Sequence, residues 1–222
     1  PISDHFKLWQ YLSELLLMLS STKYKNTNIS QKLFCLTQYV SLSDLPDDLM
    51  ILNIEALKKM IPNISETNLE FNVTELYSKS SRIWRNNTDK KLHKSLFSFW
   101  QNVITHFRTN TKIIEPSFFT LLAEDLRAVS PINSKNAPQS IALPFFYFFS
   151  EITKNVRLNT KTAQMVISSC LKYFNYYFAE NNMKFLNDFF IFISDTLGQC
   201  NIETQLNMVT MNMELIDIIF DI

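Results

Sequence analysis

Few of the side chains that carry chemistry in enzymes stand at useful spacings in this sequence. Three histidines and three cysteines are its only imidazole and thiol groups: His5, Cys35, His93, His106, Cys170 and Cys200. None of their spacings matches the pairs that hold zinc, and isolated cysteines in apolar helices behave as small hydrophobes. We therefore expect no metal and no other cofactor. Reduced cysteines also indicate the nucleus or the cytoplasm.

The acidic residues and the glycine content also argue against catalysis. Glu124 and Asp125 are adjacent, so on a helix they point about 100° apart and do not form an acid and base pair on one face. Gly198 is the only glycine, which excludes the glycine-rich phosphate loops of kinases and nucleotide-binding enzymes. No serine stands in a nucleophile elbow. We expect a protein that is not an enzyme.

The same scarcity of glycine predicts an all-α fold. Average usage of roughly 7 % predicts about fifteen glycines in a chain of 222 residues. Tight β-hairpins need glycine, whereas helices joined by Asn, Ser, Thr, Asp and Pro do not. Apolar residues make up 46 % of the chain and aromatic residues 14 %, enough for one continuous core. The sequence predicts a single helical module over residues 1–222.

Turn residues divide the second half of this module regularly. Pro116 opens a helix as a first-turn proline, and the loop PINSKNAPQ then predicts a hinge at residues 130–139. Four helices follow at steps of about twenty residues, with predicted N-caps at Ser140, Thr160, Asn182 and about Asn201. This spacing gives a helix-pair period of roughly forty residues, as in helical repeat proteins.

The four helical segments are SIALPFFYFFSEI, TAQMVISSCLKYFNYYFAE, MKFLNDFFIFISDTL and TQLNMVTMNMELIDIIFDI. In length and apolar pattern they resemble successive helices of an α-solenoid of the HEAT or armadillo kind. The resemblance is one of architecture and extends over residues 30–222. It implies a right-handed superhelix of about nine or ten antiparallel helices, and a role as a scaffold or adaptor. It implies no catalytic residue.

Five consecutive aromatic rings lie in the stretch LPFFYFFSEI, residues 143–152. The apolar run is shorter than the roughly twenty residues that cross a bilayer, so we expect no membrane span. Consecutive helical residues point in all directions, so these rings cannot form one buried stripe. We favour core, with a docking edge for a partner's helix or peptide as the alternative. The rings assigned to that edge are Phe146, Tyr147, Phe149, Tyr173, Tyr176 and Tyr177.

Charge is balanced overall, with 21 basic and 21 acidic residues, but one region is strongly basic. Its cations are Lys79, Arg82, Arg85, Lys90, Lys91, Lys94, Arg108 and Lys112. This basic face could hold phosphate groups of nucleic acid or of acidic lipid. The alternatives are a solvated helix surface, or a surface that meets the acidic C-terminal region of another copy or partner.

These observations together predict a function by interaction. We expect a scaffold or adaptor that binds protein partners in a multi-subunit intracellular complex, with nucleic acid or lipid binding through the basic face as the second hypothesis. The chain begins at Pro1 without a methionine and ends in the apolar run MELIDIIFDI. We therefore expect a fragment of a longer protein.

Overall fold

A computed structural model of the chain describes most of its residues. The described residues are 2–21, 32–35, 45–64, 73–107, 114, 116–129, 139–154, 156, 158–198 and 200, and the side chains of 2–5, 82, 86, 139–140 and 172 are not described. The chain divides into two compact units, Pro1–Glu115 and Pro116–Ile222. A hinge at residues 130–139 stays a prediction, since residues 130–138 lie outside the described part, and so does the single module.

Within the described residues, unit 1 contains four long helices. They are α1 (Ile2–Ser20), α2 (Asp47–Met60), α3 (Val73–Asn86) and α4 (Lys90–Phe107). A 3₁₀ turn at Ile61–Asn63 extends α2, and residues 32–35 form one further helical turn.

The described part of unit 2 contains four more helices, α5 (Pro116–Ala128), α6 (Gln139–Lys154), α7 (Thr160–Ala179) and α8 (Met183–Gly198). The described residues contain no strand, so the prediction of an all-α fold is confirmed. Among them, no helix combines the length and the apolar character that crossing a bilayer requires.

Side-chain caps fix where several helices begin. The Asn159 side chain accepts the backbone N–H of Thr162 at 2.9 Å, so α7 is capped one residue before the predicted Thr160. Asn159 has the extended backbone that a cap needs, whereas Thr160 is already helical. The Asn182 side chain accepts the N–H of Phe185 at 3.1 Å, as the sequence predicts for α8.

The turn between α7 and α8 replaces the usual glycine with asparagine. Asn181 has a φ of 53°, the left-handed region that ends many helices. The next amide, that of Asn182, donates to the carbonyl of Tyr177 at 2.9 Å and closes the turn. Asparagine tolerates this conformation better than other residues with a Cβ. This explains how the chain makes a tight helical hairpin without glycine.

In unit 1, the helices α2 and α4 run in the same direction side by side. The Asn87 amide donates to Asp47 at 2.7 Å, and the Ser95 hydroxyl donates to Glu55 at 3.1 Å. Both bonds join residues that are 40 apart in sequence. Further along the two helices, His106 Nε2 lies 3.1 Å from the carbonyl oxygen of Ile64, and these two residues are 42 apart in sequence. Because the partners advance together, α2 and α4 are parallel neighbours.

Unit 2 repeats this arrangement. The Tyr147 hydroxyl of α6 donates to Asp188 of α8 at 2.8 Å, across a separation of 41 residues. Two helical turns further along both helices, the Lys154 ammonium lies 3.5 Å from the Asp195 carboxylate. The helices α6 and α8 are therefore parallel neighbours too. The separation of 41 residues between the facing positions of α6 and α8 agrees with the helix-pair period of roughly forty residues predicted for this region.

Candidate functional site

The aromatic run of α6 divides between the interior and the surface of unit 2. Phe145, Phe146, Phe148 and Phe149 are buried, whereas Tyr147 keeps 39 % of its surface exposed. This division follows from the 100° step between helical residues, because one of five successive rings has to face away from the neighbouring helices.

Phe146 lies at the centre of the buried rings. Its ring centroid is 4.9 Å from that of Phe185 and 5.6 Å from that of Phe192, both on α8. It also lies 5.9 Å from the ring of Tyr173 on α7. Such edge-on and tilted contacts add to the free energy of burial. Phe146 therefore holds three helices of unit 2 together.

Tyr173 and Tyr177 of α7 are also packed against other helices. The hydroxyl of Tyr173 donates to the carbonyl of Leu126 in α5 at 3.0 Å, and burial raises the pKa of this phenol. The ring of Tyr177 lies 4.4 Å from that of Phe185. Burial, and then the charges of the neighbouring Tyr176 and Glu180, raise the pKa of Tyr177 to about 12.

Six rings were assigned to a docking edge as the alternative to core, and the structure separates them. Phe146, Phe149 and Tyr173 belong to the core of unit 2 and have no exposed surface for a partner to touch. Tyr177 is buried as well. These four rings therefore lie in the core, the interpretation that the sequence favoured. The surface retains Tyr147 and the half-buried Tyr176.

The accessible part of this region is a strip along the parallel helices α6 and α8, which we call the α6–α8 strip. Its members are Tyr147, Glu151, Lys154, Asp188, Ile191 and Asp195. Two links already described cross it, from Tyr147 to Asp188 and from Lys154 to Asp195. Partial burial, and then the hydrogen bond and the negative charge of Asp188, raise the pKa of Tyr147 to about 12.

The α6–α8 strip is mixed in composition. It combines an aromatic ring, an exposed isoleucine, carboxylates and one ammonium group. Tyrosine is enriched in protein interfaces because it is large, rigid and able to hydrogen-bond. Among the described residues, no three His, Cys, Asp or Glu side chains are grouped to hold a metal ion.

A second apolar surface of unit 2 was not predicted from the sequence. Phe178 of α7 and Phe190 of α8 are about 40 % exposed, and both contact the buried ring of Phe174, at 5.7 and 5.8 Å. Met183, at the start of α8, is 71 % exposed. We call this surface the α7–α8 apolar surface. The run Phe189–Phe192 could have indicated this exposed apolar surface, because four successive apolar residues cover most of the circumference of a helix, so one of them has to face away from the core.

Unit 1 also exposes apolar side chains on α1. Four of them recur at steps of three and four residues, which places them on one stripe of the helix: Leu8, Tyr11, Leu15 and Met18. The sequence of this helix predicts a buried stripe at steps of three and four residues, made of Phe6, Trp9, Leu12, Leu16 and Leu19. Of these, Leu16 is buried as expected. Phe6, expected on the same buried stripe, is exposed.

The basic face lies in unit 1, on α3 and α4. Lys90, Lys91 and Lys94 are exposed near the start of α4, and Arg85 is exposed near the end of α3. Lys79 pairs with Glu75 one turn before it. Three other predicted members cannot be placed, because the side chain of one and the whole of the other two lie outside the described residues: Arg82, Arg108 and Lys112.

One buried polar pair in unit 1 bears on stability. Within the described residues, neither the Asn53 amide nor the Nε2 atom of His93 has a hydrogen-bond partner. The separation of 40 residues between facing positions of α2 and α4 places these two residues at the same level. Burial lowers the pKa of His93, although the carbonyls of Asn87 and Ile83 oppose the shift.

Similarity to known proteins does not narrow the function further. Comparison of the chain with protein-family models, curated proteins and solved structures finds no match in any of the three. A functional assignment therefore depends on the surfaces of the chain itself.

Proposed function

We propose that this chain is a non-enzymatic scaffold or adaptor that binds protein partners in a larger intracellular complex, in the nucleus or the cytoplasm. The proposal includes an architecture of the HEAT or armadillo kind, a right-handed superhelix of antiparallel helices. The main observation in support of the proposed function is the α6–α8 strip, an aromatic and charged surface on parallel helices.

Contacts within each unit support the stacked architecture. In unit 1 the rings of Tyr77 and Trp100 lie 5.1 Å apart, and those of Trp84 and Phe97 lie 4.5 Å apart. A later residue of α3 thus meets an earlier residue of α4, as in an antiparallel hairpin. In unit 2 the contacts of α7 with α8 follow the same order, from Phe174 with Phe189 to Tyr177 with Phe185. Antiparallel hairpins whose alternate helices are parallel are the building unit of α-solenoids.

Pre-ordered side chains support binding at the α6–α8 strip. A surface side chain usually loses conformational freedom when a partner binds, and this loss weakens the complex. The hydroxyl of Tyr147 is already held by Asp188, and the ammonium of Lys154 already lies beside Asp195. A peptide or helix that lies along the furrow between α6 and α8 would meet these groups in fixed positions. Ile191 adds an exposed apolar contact.

The site is tested by comparing partner binding to matched surface variants. The double variant Tyr147→Ser and Ile191→Ser removes the two apolar contacts of the strip, and Ser168→Ala on α7 is an exposed control. We expect the double variant to retain less than about a tenth of the partner at an unchanged melting temperature, because aromatic anchors dominate interface energies. Equal capture by wild type and double variant, with both folded, would exclude the strip as the site.

The basic face supports a second candidate function. Three cations within five residues, Lys90, Lys91 and Lys94, are exposed on α4. Such a cluster favours phosphate groups, and binding of nucleic acid or acidic lipid through it would weaken steeply with salt. The α6–α8 strip carries both signs of charge and predicts a weaker dependence. Salt titration of partner binding therefore separates the two functions.

A further inference from the structure

Asp188 is a carboxylate that the α6–α8 strip holds in place without a cation. It is half-buried on α8, and its Oδ2 atom accepts the hydrogen bond of the Tyr147 hydroxyl at 2.8 Å. Lys184 is exposed one turn earlier on α8, but within the described residues no cationic side chain forms an ion pair with Asp188. A carboxylate has about four acceptor positions, so Asp188 can accept further donors.

The other carboxylate that α8 contributes to the strip is already paired. Asp195 lies two turns after Asp188, and the Lys154 ammonium of α6 is 3.5 Å from it. Glu151 is exposed on α6, one turn after Tyr147, and therefore lies on the same face of that helix. The strip thus carries three carboxylates and one ammonium group, and its excess charge is negative. A partner of complementary charge has to bring a cation to it.

The ring of Tyr147 is a fixed platform beside Asp188. Its centroid lies 5.7 Å from that of the buried Phe146 ring, with the two planes at 69°. Its hydroxyl is held by Asp188, so the ring is fixed at both ends although more than a third of its surface is exposed. Ile191, one turn after Asp188, adds exposed apolar surface to this platform.

An arginine side chain matches all three features. Its planar guanidinium stacks on aromatic rings and donates two hydrogen bonds to one carboxylate, and its methylene groups pack on apolar side chains. The ammonium group of lysine is compact and strongly hydrated, so a lysine would supply the charge without the stacking or the paired hydrogen bonds. The combination of ring, carboxylate and apolar side chain therefore favours arginine over lysine.

We propose that the α6–α8 strip binds an arginine of the protein partner, whose guanidinium donates to Asp188 and stacks on the ring of Tyr147. The methylene groups of this arginine lie against Ile191. The inference rests on the proposed function, because it names the chemical group by which the partner is recognised.

Peptide selection on the full chain tests the proposal. A display library of random peptides is selected on the wild-type chain, and peptides that also bind the Tyr147→Ser and Ile191→Ser double variant are removed. We expect the remaining peptides to share an arginine. Fluorescence anisotropy should show that replacing it with lysine weakens binding at least about tenfold, because the stacked, bidentate contact is lost. Peptides without arginine, or equal affinity of the arginine and lysine forms, would overturn the proposal.

Two matched variants of α8 locate the contact. Asp188→Asn removes the charge but keeps an oxygen that can accept from Tyr147, and we expect it to weaken binding of the selected peptides at least about tenfold at an unchanged melting temperature. Asp195→Asn is the same change two turns away, at a carboxylate that already has a cation, and it should weaken binding less than about threefold. Equal losses would indicate a general attraction of cations to the strip and would overturn the proposal.

Failure of this proposal can be distinguished from failure of the strip as the partner site. Peptides that bind the wild type but not the double variant, and that bind Asp188→Asn as tightly as the wild type, would overturn only the arginine contact. If every peptide that binds the wild type also binds the double variant, the strip is not the binding site. That result would overturn both this inference and the site proposed above.

Discussion

Truncation of Phe146 should unfold unit 2 far more readily than truncation of its neighbour Tyr147. The Phe146 side chain has no exposed surface and contacts rings of both α7 and α8, including Tyr173, Phe185 and Phe192. Replacing a phenylalanine in such a position with alanine leaves a cavity and costs about 3–5 kcal/mol of unfolding free energy. Phe146→Leu keeps most of the volume and should cost about 1–1.5 kcal/mol.

Urea denaturation followed by circular dichroism measures these differences, with Tyr147→Ala as the matched control. That control removes an exposed ring and one hydrogen bond to Asp188, so we expect a loss of about 1 kcal/mol or less. A loss below about 1 kcal/mol for Phe146→Ala, at an unchanged urea dependence, would refute the assignment of Phe146 to the core. Phe146 would then fit the alternative interpretation of this aromatic run, a docking edge.

Four other predictions concern the turns, the buried histidine and the basic face. Asn181→Gly should keep or slightly raise the melting temperature, whereas Asn181→Val should cost about 1–2 kcal/mol, because a β-branched residue resists a positive φ. Asn159→Ala should cost about 1 kcal/mol in urea denaturation, since it removes the cap of α7, and no loss would show that the cap is not formed. Burial lowers the pKa of His93 from 6.5, although the nearby carboxylates of Asp47 and Asp89 oppose this shift, so the unfolded chain binds more protons than the folded one. The free energy of unfolding should therefore fall as the pH falls below about 6.5 toward the lowered pKa, and His93→Gln should flatten this pH dependence. If the basic face binds RNA or anionic vesicles, this binding should weaken steeply as salt is added. Charge reversal of its exposed lysines, Lys90, Lys91 and Lys94, should abolish the binding. Binding that does not depend on salt would exclude this role.

The helical class and the repeat period could be predicted from the sequence because they depend on local signals. A single glycine excludes most β architectures, and Asn182 caps α8 as its residue type predicts. The predicted cap of α7 was wrong by one position, because two residues that can cap a helix are adjacent there. Asn159 rather than Thr160 is the cap. Residue type shows that a helix starts nearby, whereas the backbone conformation decides which residue caps it.

The surface of the candidate site could not be predicted from the sequence, because exposure depends on helices distant in the chain. Tyr147 and Phe146 are adjacent aromatic residues, and only the packing of α8 against α6 distinguishes them. The exposed positions Phe178 and Phe190 were missed for the same reason. Helical periodicity shows that a ring must leave the main stripe, but it does not show whether another helix covers that ring.

Affinity capture with this chain as bait, followed by nuclease treatment and mass spectrometry, tests the central claim most directly. A scaffold should retain at least one protein partner in stoichiometric amount after nuclease treatment, and the Tyr147→Ser and Ile191→Ser variant should lose it. Partners that all disappear with the nucleic acid would contradict the scaffold function and would favour the basic face of unit 1 as the binding surface.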